Sequence, residues 1–210
     1  MVRHIGEEIP QRSGRGGEEI PQRGAKYIAL WDTRLNGGVG AKPNILLIQT
    51  NQGVALGTAF PQIRNYAGGG KVEAMFILCH GYAGSSDVRR QSGDFGGMGL
   101  QLGTEDVTHA NASMFEAIKN KVKNIIIYAC GAGDTQAGAE GTTADGRYLM
   151  GAIAIHTNAH VFAADRIQWY NTDGAGNFNF GNWEGSVLYF PPSGQPPSVV
   201  GGPPVELTDV

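Results

Sequence analysis

Five short apolar runs constrain the fold of this chain more than any other feature. They are rich in Ile, Val, Phe and Tyr, and they lie at residues 26–31, 44–48, 74–78, 124–128 and 161–164. Uninterrupted runs of this length are typical of strands that are buried on both faces. We therefore predict a central, mostly parallel β-sheet.

Two segments between these runs carry apolar residues at helical spacing. The first comprises Met114, Phe115, Ile118 and Val122, and the second comprises Tyr148, Leu149, Ala152, Ile153 and His156. The alternation of strands and helices predicts a three-layer α/β domain, in which helices flank the sheet. In sheets of this class, functional sites form at the carboxyl ends of the strands.

The two ends of the chain differ in composition from its middle. Residues 1–24 contain few apolar side chains and carry the heptapeptide GEEIPQR twice, at 6–12 and at 17–23. We interpret them as a flexible leader, and a segment added during cloning explains the duplication equally well. Six prolines between positions 191 and 204 predict an extended tail over 192–210. The folded domain is then residues 25–191.

Charge and cysteine content exclude several classes of protein. There are 16 basic and 19 acidic residues, a net charge of −3, so no basic field would attract nucleic acid or anionic lipid. Two cysteines do not make a disulfide scaffold. The start of the chain lacks an apolar signal segment and no window is apolar enough for a membrane span, so we expect a cytoplasmic protein, with export by another route left open. Nothing indicates an oligomeric state.

Two of the predicted strands are followed by residues suited to nucleophilic catalysis. His80 and Gly81 follow the third run, and Cys130 follows the fourth. If these strands are parallel neighbours, the histidine and the cysteine lie side by side. An imidazole next to a thiol accepts its proton or lowers its pKa. The amides of Gly81 and Cys130 would then face the oxyanion that forms when the thiolate attacks a carbonyl.

These segments resemble the caspase-like cysteine peptidases, a group that includes caspases, metacaspases, legumains, gingipains and clostripain. The group's pattern is an apolar strand ending in His-Gly and a second ending in Ala-Cys. Here Cys130 follows Ala129 and lies 50 residues after His80. The resemblance implies that His80 and Cys130 are the catalytic dyad. The chain departs from caspases proper, because Tyr128 replaces Gln and Ala132 replaces Gly, so caspase-type specificity for Asp has no support.

Substrate preference is a further expectation from the resemblance. In caspase-like folds the pocket for the residue before the scissile bond lies near the strand after the cysteine, which indicates Asp165, Gln168 and Trp169. If Asp165 lines this pocket, Arg or Lys would be preferred through a charge-assisted pair. Asp165 paired with Arg166, or solvated, is an equal alternative. Arg12 and Arg23 lie in the accessible leader, so we also hypothesise self-cleavage after one or both.

We therefore predict a cysteine endopeptidase that acts on peptide or protein substrates. A non-catalytic caspase-like module that binds protein partners is the alternative. A dinucleotide loop at Gly131 and Gly133 is disfavoured because its third glycine is misplaced, and a serine esterase because no G-x-S-x-G motif follows. No zinc motif is present, so we assign no metal and no cofactor, and the residues do not indicate whether calcium activates the protein.

The remaining candidates have structural interpretations. Cys79 is expected in the core, and His109, His156 and His160 are expected on the surface or on a helix, without ligand spacing. The glycine-rich segment 81–103 is expected to be a mobile loop that borders the site. Within it, residues 98–102 are also compatible with a short hairpin strand.

Overall fold

A computed structural model describes residues 26–82, 97–135, 140–142 and 145–210. In these residues the strands, numbered β1 to β12 in chain order, are Tyr27–Asp32, Ile45–Thr50, Val72–Leu78, His80–Tyr82, Gly99–Gln101, Val107–Thr108, Val122–Tyr128, His160–Ala164, Asn171–Thr172, Phe178–Asn179, Val187–Phe190 and Ser198–Val200. Two α-helices, α1 (Leu56–Ala67) and α2 (Gly146–Thr157), and two 3₁₀ helices, Ala112–Ile118 and Leu207–Asp209, complete the described elements.

Seven of these strands form the central sheet, in the order β12-β11-β8-β7-β3-β1-β2. Strands β2, β1, β3, β7 and β8 run parallel to one another, and β11 runs antiparallel to both β8 and β12. The prediction of a mostly parallel α/β sheet is confirmed. All five apolar runs are strands of this sheet, as expected for segments whose side chains are buried on both faces.

The two faces of the sheet are covered by different structures. Both α-helices and the first 3₁₀ helix pack on one face, where Ile28, Phe60, Phe115 and Ile153 are buried together. The other face is aromatic and is covered by the β9–β10 hairpin and the C-terminal residues. In the described residues α-helices therefore flank one face only, and the other is covered by the hairpin, by coil and by the short 3₁₀ helix Leu207–Asp209, which carry enough apolar surface to replace a helical layer.

The helical segments differ in part from the prediction. α2 is present and begins where the Asp145 carboxylate accepts hydrogen bonds from the amides of Arg147 and Tyr148. The segment at Met114 forms a 3₁₀ helix, and Val122 belongs to β7 instead. α1 is not predicted from the sequence, because Pro61 interrupts its helical pattern. The residues of that pattern are buried in the structure: Leu56, Ala59, Phe60, Ile63 and Ala67.

The C-terminal residues are packed rather than extended away from the domain. Strand β12 pairs with β11 at the edge of the sheet, and Leu207 and Val210 are buried on the aromatic face. The amide of Leu207 also donates to the Tyr128 hydroxyl. The prediction of a tail over 192–210 is therefore wrong, because Leu207 and Val210, which follow the last of the prolines, find an apolar surface to cover.

Candidate active site

The predicted dyad residues follow neighbouring strands. β3 and β7 pair in parallel, with Leu78 opposite Tyr128. His80 and Cys130 each lie two residues beyond that pair, at the carboxyl edge of the sheet. The amide of Cys79 donates to the carbonyl of Tyr128 at 3.3 Å, so the contact between these two segments continues past the end of β3. The direction of the strands thus brings both residues to one edge.

Gly81 lies directly against the main chain of Cys130. A Cβ atom at position 81 would overlap the carbonyl oxygen of Cys130 and lie 2.9 Å from its carbonyl carbon. Glycine permits this approach because it has no side chain. On the other side of the cysteine, Gly131 has a φ of 54°, and its amide donates to the carbonyl of Arg166 at 2.8 Å. The turn that carries Cys130 is therefore held by main-chain contacts.

The thiol of Cys130 is half-buried, and its Sγ donates to the carbonyl oxygen of Gln168 at 4.0 Å. Burial raises the pKa of the Cys130 thiol, main-chain hydrogen bonds of Gln168, Gly81 and Cys130 itself oppose this rise, and the charge of Glu184 adds to it. The resting sulfur is therefore protonated at neutral pH, so its attack on a carbonyl requires a base. The main-chain hydrogen bonds of Gly81 and Cys130, which lower the pKa of the thiol, also suit an oxyanion beside the sulfur.

The imidazole of His80 is oriented by a main-chain carbonyl. Its Nε2 lies 3.3 Å from the carbonyl oxygen of Arg34. Because a carbonyl only accepts hydrogen bonds, this contact assigns a proton to Nε2 and leaves Nδ1 to exchange a proton elsewhere. No acidic side chain could be assigned from the sequence to orient His80, and the carboxylate of one candidate, Glu105, accepts a hydrogen bond from the amide of Leu56. The sequence contains no signal for the role of Arg34, since a carbonyl belongs to every residue.

The three predicted pocket residues have different positions. The Asp165 carboxylate accepts a hydrogen bond from the amide of Ser186 at 2.8 Å, and so joins the end of β8 to the start of β11. Gln168 is buried, and its main-chain oxygen contacts the Cys130 sulfur. Trp169 is 68% exposed, immediately after Gln168. Gln168 and Trp169 are therefore near the nucleophile, whereas the carboxylate of Asp165 is engaged in a turn.

Glu184 is a residue of this site that sequence reasoning missed. Its main-chain oxygen accepts a hydrogen bond from the Gln168 side chain at 3.0 Å, and its Oε2 accepts one from the Trp169 amide at 3.4 Å. Its negative charge raises the pKa of the Cys130 thiol. No motif surrounds Glu184, and 54 positions separate it from Cys130 in the chain. Only the return of the chain before β11 brings its carboxylate to the site.

The other reactive side chains are engaged elsewhere. Cys79 is buried in the helix-covered core, and burial raises the pKa of its thiol well above the usual range. The three remaining described histidines contact neighbouring side chains, in the pairs His109–Tyr148, His156–Glu116 and His160–Tyr189. The core position predicted for Cys79 is confirmed, and His156 lies in α2 as predicted, whereas His160 is half-buried at the start of β8 rather than on the surface or on a helix.

Several predicted features lie partly or wholly outside the described residues. Arg12, Arg23 and residues 83–96 of the glycine-rich segment belong to this group. The hairpin alternative for residues 98–102 is confirmed, because β5 pairs antiparallel with β4 and with β6. In β4 and β5, His80 lies opposite Gln101.

Comparison of the chain with protein-family models, with curated proteins and with solved structures found no match. In the described ranges no group of three or more His, Cys, Asp or Glu side chains is placed to hold a metal ion. Among the same residues, no helix is long and apolar enough to cross a membrane. A functional assignment therefore depends on the residues of the site itself.

Proposed function

We propose that this protein is a cysteine endopeptidase of caspase-like type in which Cys130 is the nucleophile and His80 the general acid and base. The observation that carries the proposal is the contact between Gly81 and the main chain of Cys130. It joins the histidine-bearing segment to the cysteine-bearing segment at the end of parallel strands. A thiol, an imidazole and amides that stabilise negative charge are the groups that acyl transfer requires.

The reaction follows from the resting state of these groups. His80 Nδ1 takes the proton of the Cys130 thiol as the sulfur attacks the substrate carbonyl carbon, and the carbonyl electron pair moves to the oxygen beside the amides of Gly81 and Cys130. Collapse of this intermediate breaks the peptide C–N bond, and His80 donates its proton to the leaving amine. Water, deprotonated by His80, then hydrolyses the thioester and regenerates the thiol.

The preferred substrate carries Arg or Lys before the scissile bond, and Glu184 rather than Asp165 binds that side chain. Glu184 acts electrostatically on the Cys130 sulfur. The Asp165 carboxylate accepts a hydrogen bond from the Ser186 amide at 2.8 Å, whereas Glu184 Oε2 accepts a longer one, at 3.4 Å, from the Trp169 amide. A charge-assisted pair with a guanidinium or ammonium contributes about 1.5–3 kcal/mol, which corresponds to a preference of about ten- to a hundredfold.

Covalent labelling tests the dyad. A peptide electrophile with Arg in the first position is added to the purified protein, and the modified residue is identified by mass spectrometry. We expect labelling of Cys130 but not of the buried Cys79, and a decrease of at least about a hundredfold in the labelling rate of His80→Ala. Labelling that is no faster than that of an exposed model thiol and is unchanged in His80→Ala contradicts the peptidase and favours the non-catalytic module.

A positional peptide library, assayed with and without calcium, tests the preference. Glu184→Gln is expected to lose the preference for Arg and Lys while it retains the cleavage of uncharged peptides, and Asp165→Asn is the matched control. Retained selectivity in Glu184→Gln together with its loss in Asp165→Asn would return the assignment to Asp165.

Self-cleavage after Arg12 or Arg23 is the remaining part of the proposal. Intact mass measurement of the purified protein beside Cys130→Ala tests it directly. We expect loss of the leader only where Cys130 is present. A leader that stays intact in both proteins after prolonged incubation would rule out autoprocessing.

A further inference from the structure

An ion pair between the buried Asp32 and the half-buried Arg34 lies next to the carbonyl that orients His80. Asp32 is the last residue of β1, and its side chain is 1% exposed. Its two carboxylate oxygens accept hydrogen bonds from Arg34 Nε at 2.7 Å and from Arg34 Nη2 at 2.8 Å. The amide of Arg34 donates to the same carboxylate at 3.1 Å. The pair therefore fixes both the side chain and the main chain of Arg34.

The same ion pair also forms hydrogen bonds with the segment that follows β5. The amide of Gly103 donates to Asp32 at 2.9 Å, and the carbonyl of Gly103 accepts from Arg34 Nη2 at 3.0 Å. Arg34 also contacts the Asp106 carboxylate at 3.2 Å, and the Thr50 hydroxyl donates to Asp32 at 3.3 Å. Two strand ends and the segment after β5 thus meet at one bidentate pair.

His80 depends on both of the parts that this pair holds. The carbonyl of Arg34 accepts a hydrogen bond from its Nε2. The strand that contains His80 pairs with β5, where Gln101 lies opposite the histidine and two residues before Gly103. The hydrogen-bond acceptor and the strand that supports the imidazole are therefore anchored to the same two charges.

We infer that the Asp32–Arg34 ion pair is the positioning unit of His80, which fixes the Nε2–H···O=C contact and so presents Nδ1 to Cys130. The positional claim stands on these contacts, and its consequence for catalysis rests on the proposed function. Stability alone is a weak account of the pair, because a buried ion pair contributes little more than apolar residues of similar size. The position of the ion pair beside the site is explained by the way it holds the imidazole of His80 in one orientation.

Nuclear magnetic resonance of protein labelled with ¹⁵N at histidine tests the positioning directly. The readouts are the tautomer of His80 and the rate at which its Nε2 proton exchanges with water. In Asp32→Asn and Arg34→Gln we expect exchange about 2- to 12-fold faster than in the unmodified protein, which corresponds to loss of one hydrogen bond. Arg34→Lys restores part of the protection, since lysine pairs with the carboxylate but not bidentately.

Two further variants separate positioning from general destabilisation. Thr157→Val removes a buried hydroxyl that donates to the Ile153 carbonyl in α2, away from the site, and is expected to leave the His80 signals unchanged. If Asp32→Asn does not fold, Asp106→Asn replaces it, because it removes only the outer, 40% exposed carboxylate of the network. Folded Asp32 and Arg34 variants with unchanged His80 signals would overturn the inference.

Labelling of Cys130 in the same variants connects the positioning to the chemistry. We expect at least a tenfold slower reaction with the peptide electrophile in Asp32→Asn, about the cost of a small misplacement of a catalytic group. Altered His80 signals in a protein whose Cys130 never reacts would refute the proposed peptidase and leave the positioning intact. Normal labelling with unaltered His80 signals would refute the positioning alone.

Discussion

His80 and Cys130 follow adjacent strands, yet the two halves of the site are held by different interactions. On the histidine side, the Asp32–Arg34 ion pair joins three segments through its side chains. On the cysteine side, main-chain atoms make the contacts, as in the close approach of Gly81 and the hydrogen bond from the amide of Gly131. One half is organised by charge and the other by backbone shape.

This difference teaches which changes each half tolerates. A bidentate pair depends on charge and on the geometry of two planar groups, so it is sensitive to acid and to neutral substitutions. A close main-chain approach depends on volume, so it is sensitive to one added methyl group and indifferent to pH.

The largest effect is expected for Asp32→Ala. Removal of the carboxylate leaves Arg34 without its main partner, and loss of one member of a buried pair costs about 3–5 kcal/mol in the free energy of unfolding. Urea unfolding followed by circular dichroism measures it. The exposed Lys123–Glu73 pair provides the control, since Glu73→Ala should cost less than about 1 kcal/mol. Equal effects in the two variants would contradict a special role for the buried pair.

Gly81→Ala is expected to have the next largest effect. The new methyl group overlaps the Cys130 carbonyl, so the free energy of unfolding should fall by about 1–3 kcal/mol and labelling of Cys130 should be lost. Gly151→Ala in α2 is the matched control, because a Cβ there meets nothing within 4 Å. The control should gain about 0.5–1 kcal/mol. An unaffected labelling rate in Gly81→Ala would show that the close approach of Gly81 to Cys130 does not limit the reaction.

The pH dependence of stability should also distinguish the two halves of the site. Burial alone would raise the pKa of Asp32, but the hydrogen bonds and charge of Arg34, with the Gly103 amide, outweigh it and hold the pKa below its usual range. A lowered carboxylate pKa stabilises the fold above the unfolded value, and this contribution is lost as the pH falls through the folded value. The stability difference between the unmodified protein and Asp32→Asn should therefore be full above about pH 5 and narrow below about pH 4.

Unfolding curves at several pH values measure this difference. The stability cost of Gly81→Ala serves as the comparison and should be the same at each pH, because no titrating group is involved. A cost of Asp32→Asn that stays constant down to pH 3 would show that the charge of Asp32 is not what stabilises this half.

Gln168→Ala is expected to have the smallest effect. The substitution removes the hydrogen bond to the Glu184 carbonyl but keeps the main-chain oxygen that contacts Cys130. We expect a loss of about 1 kcal/mol in the free energy of unfolding and a labelling rate close to that of the unmodified protein. A large fall in labelling would mean that side chains also organise the cysteine half.

The elements that were predicted correctly are those whose signal is local. Each apolar run was recognisable because a strand buried on both faces needs continuous apolar residues, and α2 carries both a helical pattern and the cap at Asp145. α1 was missed because Pro61 lies in the interior of the helix, beyond the first turn where proline is tolerated, and therefore indicates a helix break. The C-terminal strand was missed because the prolines on either side of it dominate the local composition, while its pairing depends on the edge that β11 provides.

By itself, the sequence determined the order of the strands along the chain and the placement of His80 and Cys130 just after two of them. Tertiary structure decided which groups act on each residue: the Arg34 carbonyl contacts the imidazole from 46 positions away, and Glu184, whose charge raises the pKa of the Cys130 thiol, comes from another segment. The physical reason is that burial patterns are local, periodic properties of side chains. An orienting carbonyl or an acidic neighbour is defined only by where the folded chain places it.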